Sequence, residues 1–301
     1  MKILVTGSAG FIGSHLIDRL SKDGFSAIGL DIAENRGRQG KPNAQIDIRD
    51  KAGLEKLFKK ESFRSIVHLA ARGGVRQSIA EPVVFMETNI IGTVNLLELA
   101  EKYKVRNIIF ASSSSVYGDV KTPFREDMPS GRLLSPYAVS KRAGEDLCRI
   151  YHKRSGLKMA VLRFFTVYGP RGRTDMAAGL FTKAVLGNKK LVRFGKGECL
   201  RDFTYIDDIV DGVMSVLKAV PDFEIINLGS GRAVSVNGLI ETIEKITGKK
   251  AAVAERPLNP ADVFSTLADI SKAKKLLGYR PKWTLEKGMA KFIEWYLKFK
   301  Q

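Results

Sequence analysis

Tyr137 and Lys141 stand four residues apart in "SPYAVSKRAGE", and four consecutive hydroxyls, Ser112 to Ser115, come shortly before them in "ASSSSVYG". A spacing of four puts a phenol and an ammonium on one face of a helix. A free phenol titrates near pH ~10, too high for a base at neutral pH, but a neighbouring cation favours the phenolate. Short hydroxyls can assist such a phenol or bind an anionic group. Each feature has an ordinary alternative: an exposed Tyr–Lys pair on a surface helix, and a solvated serine turn. A third feature raises both. "VTGSAGFIG" spaces Gly7, Gly10 and Gly13 as a phosphate-binding turn would.

These residues need elements to hold them. "KILVTG", "SAIGLD", "SIVHLA", "NIIFAS" and "KMAVLRFF" read as short buried strands. Residues 11–22, "GLEKLFKKE", 83–103 and 137–155 carry apolar positions at helical spacing. Regular alternation predicts an α/β fold with a doubly wound, parallel Rossmann-type sheet. The glycines then fall between the first strand and the first helix. There they allow a tight turn and backbone approach to a pyrophosphate at a helix N-terminus. Asp31 closes the second strand, where an acid binds an adenosine ribose diol and repels a 2'-phosphate. Arg36 and Arg38 lie nearby and would suit that phosphate, yet the pattern favours NAD over NADP. Asp47 and Ile48, after the next strand, suit the adenine rim.

After Arg163 the rhythm changes to Gly- and Pro-rich stretches, "YGPRGR", "FGKGE" and "RPLNP". A smaller substrate-binding region is expected there. "TYIDDIVDGVMSVLKAV" and "EIINLGS" read as one more helix and strand of the main sheet. The expected division is residues 1–168, with 206–229 returning, for NAD, and 169–205 with 230–301 for the substrate.

The chain has 301 residues, 44% of them apolar, enough for a sizeable core. No uninterrupted apolar run approaches the roughly 18 residues of a membrane span. Its opening residues lack the order of a signal peptide. Cys148 and Cys199 have no metal-type spacing, which favours a reducing, cytoplasmic setting and no metal. His15, His68 and His152 have no metal-like partners in sequence either. Fifty Lys and Arg against 32 Asp and Glu give a net charge of +18. Nucleic-acid binding and attraction of a small anion are two readings of that charge. A basic solvated surface is favoured over both, because the cations are scattered and no nucleic-acid module accompanies them.

"VTGSAGFIG", "HLAA" (68–71), "SSSSVYG", "YAVSK" and "RDFTYIDD" (201–208) together resemble the extended short-chain dehydrogenase/reductase family of nucleotide-sugar epimerases and dehydratases. The likeness covers nearly the whole chain. It implies a tightly held NAD, hydride removal from a sugar carbon and a 4-keto intermediate. It implies Tyr137 as acid/base, Lys141 as its partner and Ser113 as the assisting hydroxyl. The cofactor site it implies comprises Gly7, Gly10, Phe11, Ile12, Gly13, Asp31, Asp47, Ile48, Leu69, Ala70, Ala71, Asn89, Ser112, Tyr137, Lys141 and Phe164. It also implies a homodimer built on helices 84–103 and 137–155.

Within that family, "GGVRQS", "SSSSVYG" and "LRFFTVYGPRGRTDMA" (162–177) are similar to UDP-glucuronate 4-epimerases. UDP-glucose epimerases usually carry asparagine where this chain has Thr166. Dehydratases and UDP-xylose synthases carry an acid where it has Ser114 and Ser115. The likeness implies Ser113, Ser114, Ser115 and Thr166 around the sugar, with Arg173 and Arg76 adding positive charge for its carboxylate. It implies Arg201 at the diphosphate, Val192 and Phe194 of segment 190–194 along the uracil, and Asp262 at the ribose, with Arg256 and Asn259 close by. Restraining the carboxylate has a chemical motive. Oxidising C4 of a glucuronate makes a β-keto acid, which loses carbon dioxide unless its carboxylate is kept out of alignment. The expected function is NAD-dependent 4-epimerisation of UDP-glucuronate to UDP-galacturonate. A UDP-glucose or UDP-N-acetylglucosamine 4-epimerase is the second expectation. A non-catalytic NAD-binding scaffold for RNA is the third; the charge favours it and the intact Ser113, Tyr137 and Lys141 oppose it.

Overall fold

The computed structural model describes residues 2–33, 44–258 and 263–299. In chain order its strands are β1 (Lys2–Thr6), β2 (Ser26–Asp31), β3 (Ala44–Gln45), β4 (Ser65–His68), β5 (Asn107–Ser113), β6 (Lys158–Phe164), β7 (Thr166–Tyr168), β8 (Leu191–Phe194), β9 (Leu200–Tyr205), β10 (Phe223–Leu228), β11 (Ala233–Ser235) and β12 (Val253–Arg256). Seven of them form one parallel sheet in the order β3-β2-β1-β4-β5-β6-β10. Ile3, Leu4, Val5, Ile66 and Val67 are wholly buried, as strands covered by helices on both faces require. The fold is the doubly wound α/β architecture expected from the alternation of elements. The strand order reverses between β1 and β4, and in such sheets ligands bind outside the carboxyl ends at that point.

Two small sheets lie beside the large one. In the first, β7 pairs parallel and β11 antiparallel with β9; in the second, β8 pairs parallel with β12. Phe165 alone separates β6 from β7, so one run of chain ends a strand in the main sheet and starts one in the small sheet. The "RDFTYIDD" motif fastens these parts together. The buried Asp202 carboxylate accepts bonds from Thr204 Oγ1, Ser230, Gly231 N and Ala268 N at 2.7–3.1 Å. Asp208 accepts from the amides of Lys282 and Trp283.

The helix Pro136–Ser155 begins where the sequence "SP" tells it to. Ser135 Oγ accepts from Ala138 N at 3.2 Å, Pro136 opens the first turn, and Gly156 ends the helix at φ +69°. The helix Pro82–Lys102 packs against it and contains a π turn over Glu87–Ile91. By length and composition this helix could cross a bilayer, with a mean hydropathy of 1.3. Half of the window is buried inside the fold, as in a core helix of a globular protein.

Candidate active site

The sequence-selected residues gather at the carboxyl edge of the main sheet. The glycine turn follows β1, Asp31 ends β2, Asp47 and Ile48 follow β3, and Leu69, Ala70 and Ala71 follow β4. Ser112 and Ser113 end β5, and Phe164 ends β6, with Ser113 directly opposite Phe164 in the ladder.

The turn after β1 is shaped to hold a dinucleotide. Gly7 has φ +71°, and a Cβ on it would lie 2.7 Å from Ala70 N. A Cβ on Gly13 would lie 2.1 Å from the Gly7 carbonyl oxygen. The turn therefore closes tightly against the helix Phe11–Lys22. That helix starts at Gly10 with no capping side chain and no acid in its first turn. Its amides and partial positive charge suit a pyrophosphate. Phe11 and Ile12 are partly buried in that first turn. The Asp31 carboxylate accepts from Ala9 N at 2.9 Å and Ala33 N at 3.0 Å, which fixes it at the strand end where a ribose diol would lie. A cradle that side chains would fill and an oriented acid fit NAD.

The chemical residues converge from β5 and the helix Pro136–Ser155. Lys141 Nζ is buried, donates to the Ala111 carbonyl at 2.8 Å and sits 5.2 Å from the Phe110 ring centre. Burial brings its ammonium down to about 8, with Cys148 and Glu145 acting in the opposite sense. The Tyr137 phenol has the Ser113 hydroxyl as its hydrogen-bond partner. Burial raises the phenol above its ordinary range, while the Ser113 bond and the Arg173 charge pull it down. Ser113 Oγ also accepts from Ser115 N at 3.2 Å.

Arg173 is the cation whose charge acts on the Tyr137 phenol. It pairs with Asp175, Nε to Oδ1 at 3.0 Å and Nη2 to Oδ2 at 2.7 Å, and Nη1 donates to the Gly73 carbonyl at 2.8 Å. Thr166 opens β7, and Ser114 and Ser115 form a short 3-10 turn after β5; all three are partly exposed. Arg76 stacks on Phe194, 4.4 Å from guanidinium to ring centre, which joins two of the expected substrate residues. Val192, on the same strand, is exposed. Arg201 Nη1 donates to the carbonyls of Leu200 and Phe264. Asp262 and Asn259, like Arg36 and Arg38, lie outside the described residues.

Several side chains expected at the cofactor are engaged elsewhere. Ile48 is 4% exposed and packs into the core, and its carbonyl accepts from Asn95 Nδ2 at 3.1 Å. Asp47 pairs with Arg49 at 2.7 Å, and that hydrogen bond holds its carboxyl below the usual range. The Asn89 amide donates to the Arg72 carbonyl and to Ser140 Oγ, so both its N–H bonds serve the protein. Ser112 Oγ donates to Glu145 at 2.5 Å, and Phe164 is core. The side chains of Ile48, Asn89, Ser112 and Phe164 turn inward, while Asp47 stays partly exposed beside Arg49.

Two clusters escaped the sequence reading. Glu145 takes two bonds from Arg163, at 2.9 and 2.7 Å, and both residues are buried. Glu145 lies one helical turn beyond Lys141, which is the one signal that was available. The second cluster surrounds His68, whose Nδ1 lies 2.8 Å from Thr6 Oγ1 and Nε2 3.0 Å from Thr93 Oγ1.

A profile of the NAD dependent epimerase/dehydratase family matches residues 3–229. A UDP-glucuronate 4-epimerase of Thermodesulfobacterium geofontis is 42% identical, over 97% of this chain and 95% of that protein. The crystal structure of a UDP-glucuronic acid 4-epimerase from Bacillus cereus with UDP-glucuronic acid and NAD matches with a TM-score of 0.92 at 36% identity, covering 99% of each chain. That of a UDP-glucose 4-epimerase from Thermus thermophilus with NAD matches at 0.93 and 31% identity, over 99% of this chain and 100% of that one. With its glycine cradle, oriented Asp31, and Tyr137 and Lys141 one turn apart on a helix, this chain belongs to the NAD dependent epimerase/dehydratase family.

Proposed function

We propose that this protein is a UDP-glucuronate 4-epimerase, producing UDP-galacturonate with no net redox change. At the coarser level it is an NAD-dependent nucleotide-sugar 4-epimerase. The observation that carries the finer reading is Arg173. Its charge acts on the Tyr137 phenol, and the partly exposed hydroxyls of Ser114, Ser115 and Thr166 stand where β5 ends and β7 begins. A carboxylate leaving water needs such donors and such charge. The UDP-glucuronate 4-epimerases among the relatives support the same choice.

Gly7, Gly10, Gly13 and Asp31 would hold the dinucleotide. When bound, NAD would supply reversible uptake of the C4 hydride and a positive charge that favours the phenolate. Tyr137 removes the C4 hydroxyl proton and later returns it to the same oxygen, when the hydride held by the cofactor would go back to C4 from the opposite face. Ser113 bonds the phenol and holds it toward that oxygen. Lys141 contributes the buried positive charge that favours the phenolate. Between the two proton transfers the 4-keto sugar turns about its link to UDP. Arg173 and the hydroxyls restrain the carboxylate of the β-keto acid meanwhile.

A homodimer and a cytoplasmic setting complete the reading. Val83, Ile91, Val139 and Ile150 are 43–66% exposed on the helices Pro82–Lys102 and Pro136–Ser155, an apolar face that a second copy would cover. Cys148 and Cys199 are buried free thiols, which suits a reducing compartment. A second substrate, UDP-glucose, has the Thermus enzyme in its favour. Incubation with UDP-glucuronate, UDP-glucose and UDP-N-acetylglucosamine, followed by proton NMR, decides between them. UDP-galacturonate as the fastest-formed product is the expected outcome; turnover confined to the neutral sugars would overturn the proposal.

A further inference from the structure

His68 lies at the end of β4, 4% exposed, under the loop that faces the glycine turn. Its hydrogen bonds have a direction that the neighbouring atoms dictate. Thr93 has a single hydroxyl hydrogen, and its Oγ1 is 2.6 Å from the Asn89 carbonyl oxygen, which can only accept. That hydrogen is therefore committed. His68 Nε2, 3.0 Å from the same Oγ1, must carry the proton and donate. Burial, with the Lys141 ammonium nearby, keeps the ring neutral. Nδ1 is then bare and accepts from Thr6 Oγ1 at 2.8 Å. Thr6 Oγ1 in turn accepts from Ala70 N at 3.2 Å. The donors run one way, from the Ala70 amide through Thr6, His68 and Thr93 to the Asn89 carbonyl.

This chain of bonds joins the two halves of the site. Ala70 belongs to the backbone on which Gly7 closes. Asn89 reaches the other half, where its Nδ2 donates to Ser140 Oγ at 2.9 Å and Ser140 Oγ donates to the Tyr137 carbonyl at 2.8 Å. The π turn over Glu87–Ile91 sits at this junction. Around the ring, β1 contributes Thr6, β5 contributes Phe110 at 5.7 Å, and the helix Pro82–Lys102 contributes Thr93. The charge among its neighbours is Lys141 of the helix Pro136–Ser155.

We propose that His68 is a positioning residue: a neutral imidazole, protonated on Nε2, that sets the loop after β4 against the helix carrying Tyr137 and Lys141. The proposal rests on the reading of Tyr137 as the acid/base, while the tautomer stands apart from it. Histidine-selective nitrogen-15 labelling of the full chain, with His68→Gln used to assign the resonances, reads the tautomer directly. A proton on Nε2 and a bare Nδ1 are expected; a proton on Nδ1, or on both nitrogens at neutral pH, would overturn the inference.

Kinetics supply the second test. Thr93→Val removes the acceptor for Nε2 while keeping the shape of the side chain. Its kcat should fall roughly tenfold, as a small misplacement of the reacting groups would cause, with KM within about twofold of wild type. Thr93→Ser keeps the hydroxyl and should recover most of the loss. Unchanged kcat in Thr93→Val, or a loss that Thr93→Ser does not recover, would refute the positioning role. The ratio is measured on whichever UDP-sugar turns over fastest, so a wrong substrate assignment reads out separately.

Discussion

The sheet wall of the site, where Lys141 donates to Ala111 and His68 bonds two threonines, contrasts with the loop wall, where Arg173 pairs with Asp175 and Arg76 stacks on Phe194. Lys141 is 5% exposed, whereas the Arg173 and Asp175 side chains are 36% and 51% exposed. On the sheet wall a lost partner leaves a buried polar group unsatisfied, so rearrangement is costly. On the loop wall water can replace a partner, and ion pairs of this exposure are worth about 1 kcal/mol or less. On the proposed function, chemistry would rest on the part that resists change, and substrate choice on the part that tolerates it.

The largest expected break in that contrast is Tyr137→Phe. Removing the phenol takes away general acid–base catalysis and should lower kcat by about 10²–10⁴-fold, measured by product NMR on the holoenzyme. Fold and thermal midpoint should change little, since the ring keeps its packing against Phe85.

Arg173→Ala tests the loop wall and should be selective. Turnover of UDP-glucuronate, as kcat/KM, is expected to fall roughly 10–100-fold, a charged hydrogen-bonded contact being worth about 1.5–3 kcal/mol. UDP-glucose should lose several-fold less. Equal losses on both sugars would mean that Arg173 serves the phenol rather than the carboxylate.

The smallest effect concerns stability. His68 is brought down from 6.5 to about 3 by burial, with Lys141 adding to the shift. An unfolded chain takes up that proton as the pH falls below about 6.5, and the folded chain resists until about 3. The contribution is therefore fully present above that range and is lost on acidification, by up to ~1.4 kcal/mol per pH unit. Urea midpoints at pH 7, 6 and 5 should fall more steeply in wild type than in His68→Gln. Parallel slopes would show that the buried ring does not govern acid sensitivity.

What the sequence made legible was local. Tyr137 and Lys141 share a helix, the glycine turn sits between consecutive elements, and strand and helix alternate with clear periodicity. Spacing shows that a residue stands at the carboxyl edge of the sheet, but not which way its side chain turns. Ser112 and Ser113 make the point: neighbours on one strand, they meet different turns of one helix, Ser112 at Glu145 and Ser113 at Tyr137. The same limit applies to Ile48 and Asn89, whose side chains turn inward. The two buried clusters were illegible because their partners are distant in sequence. His68 meets Thr6 across 62 positions and Thr93 across 25, and Ser112 meets Glu145 across 33. His68 read as an uninformative strand residue because nothing near it in the chain has matching chemistry.

The single residue between β6 and β7 acts as a seam. Upstream of Phe165 the polypeptide is locked into seven-stranded pairing; downstream it belongs to a three-stranded sheet. On the proposed function, substitutions past the seam, Arg173 aside, would alter which pyranose is welcomed with little effect on Tyr137 and Lys141 behind it. An ancestral enzyme of this shape could therefore spawn descendants with new sugar preferences by small, separable steps. Laboratory evolution aimed at residues 166–175 should travel further than the same effort spent on the strands before them.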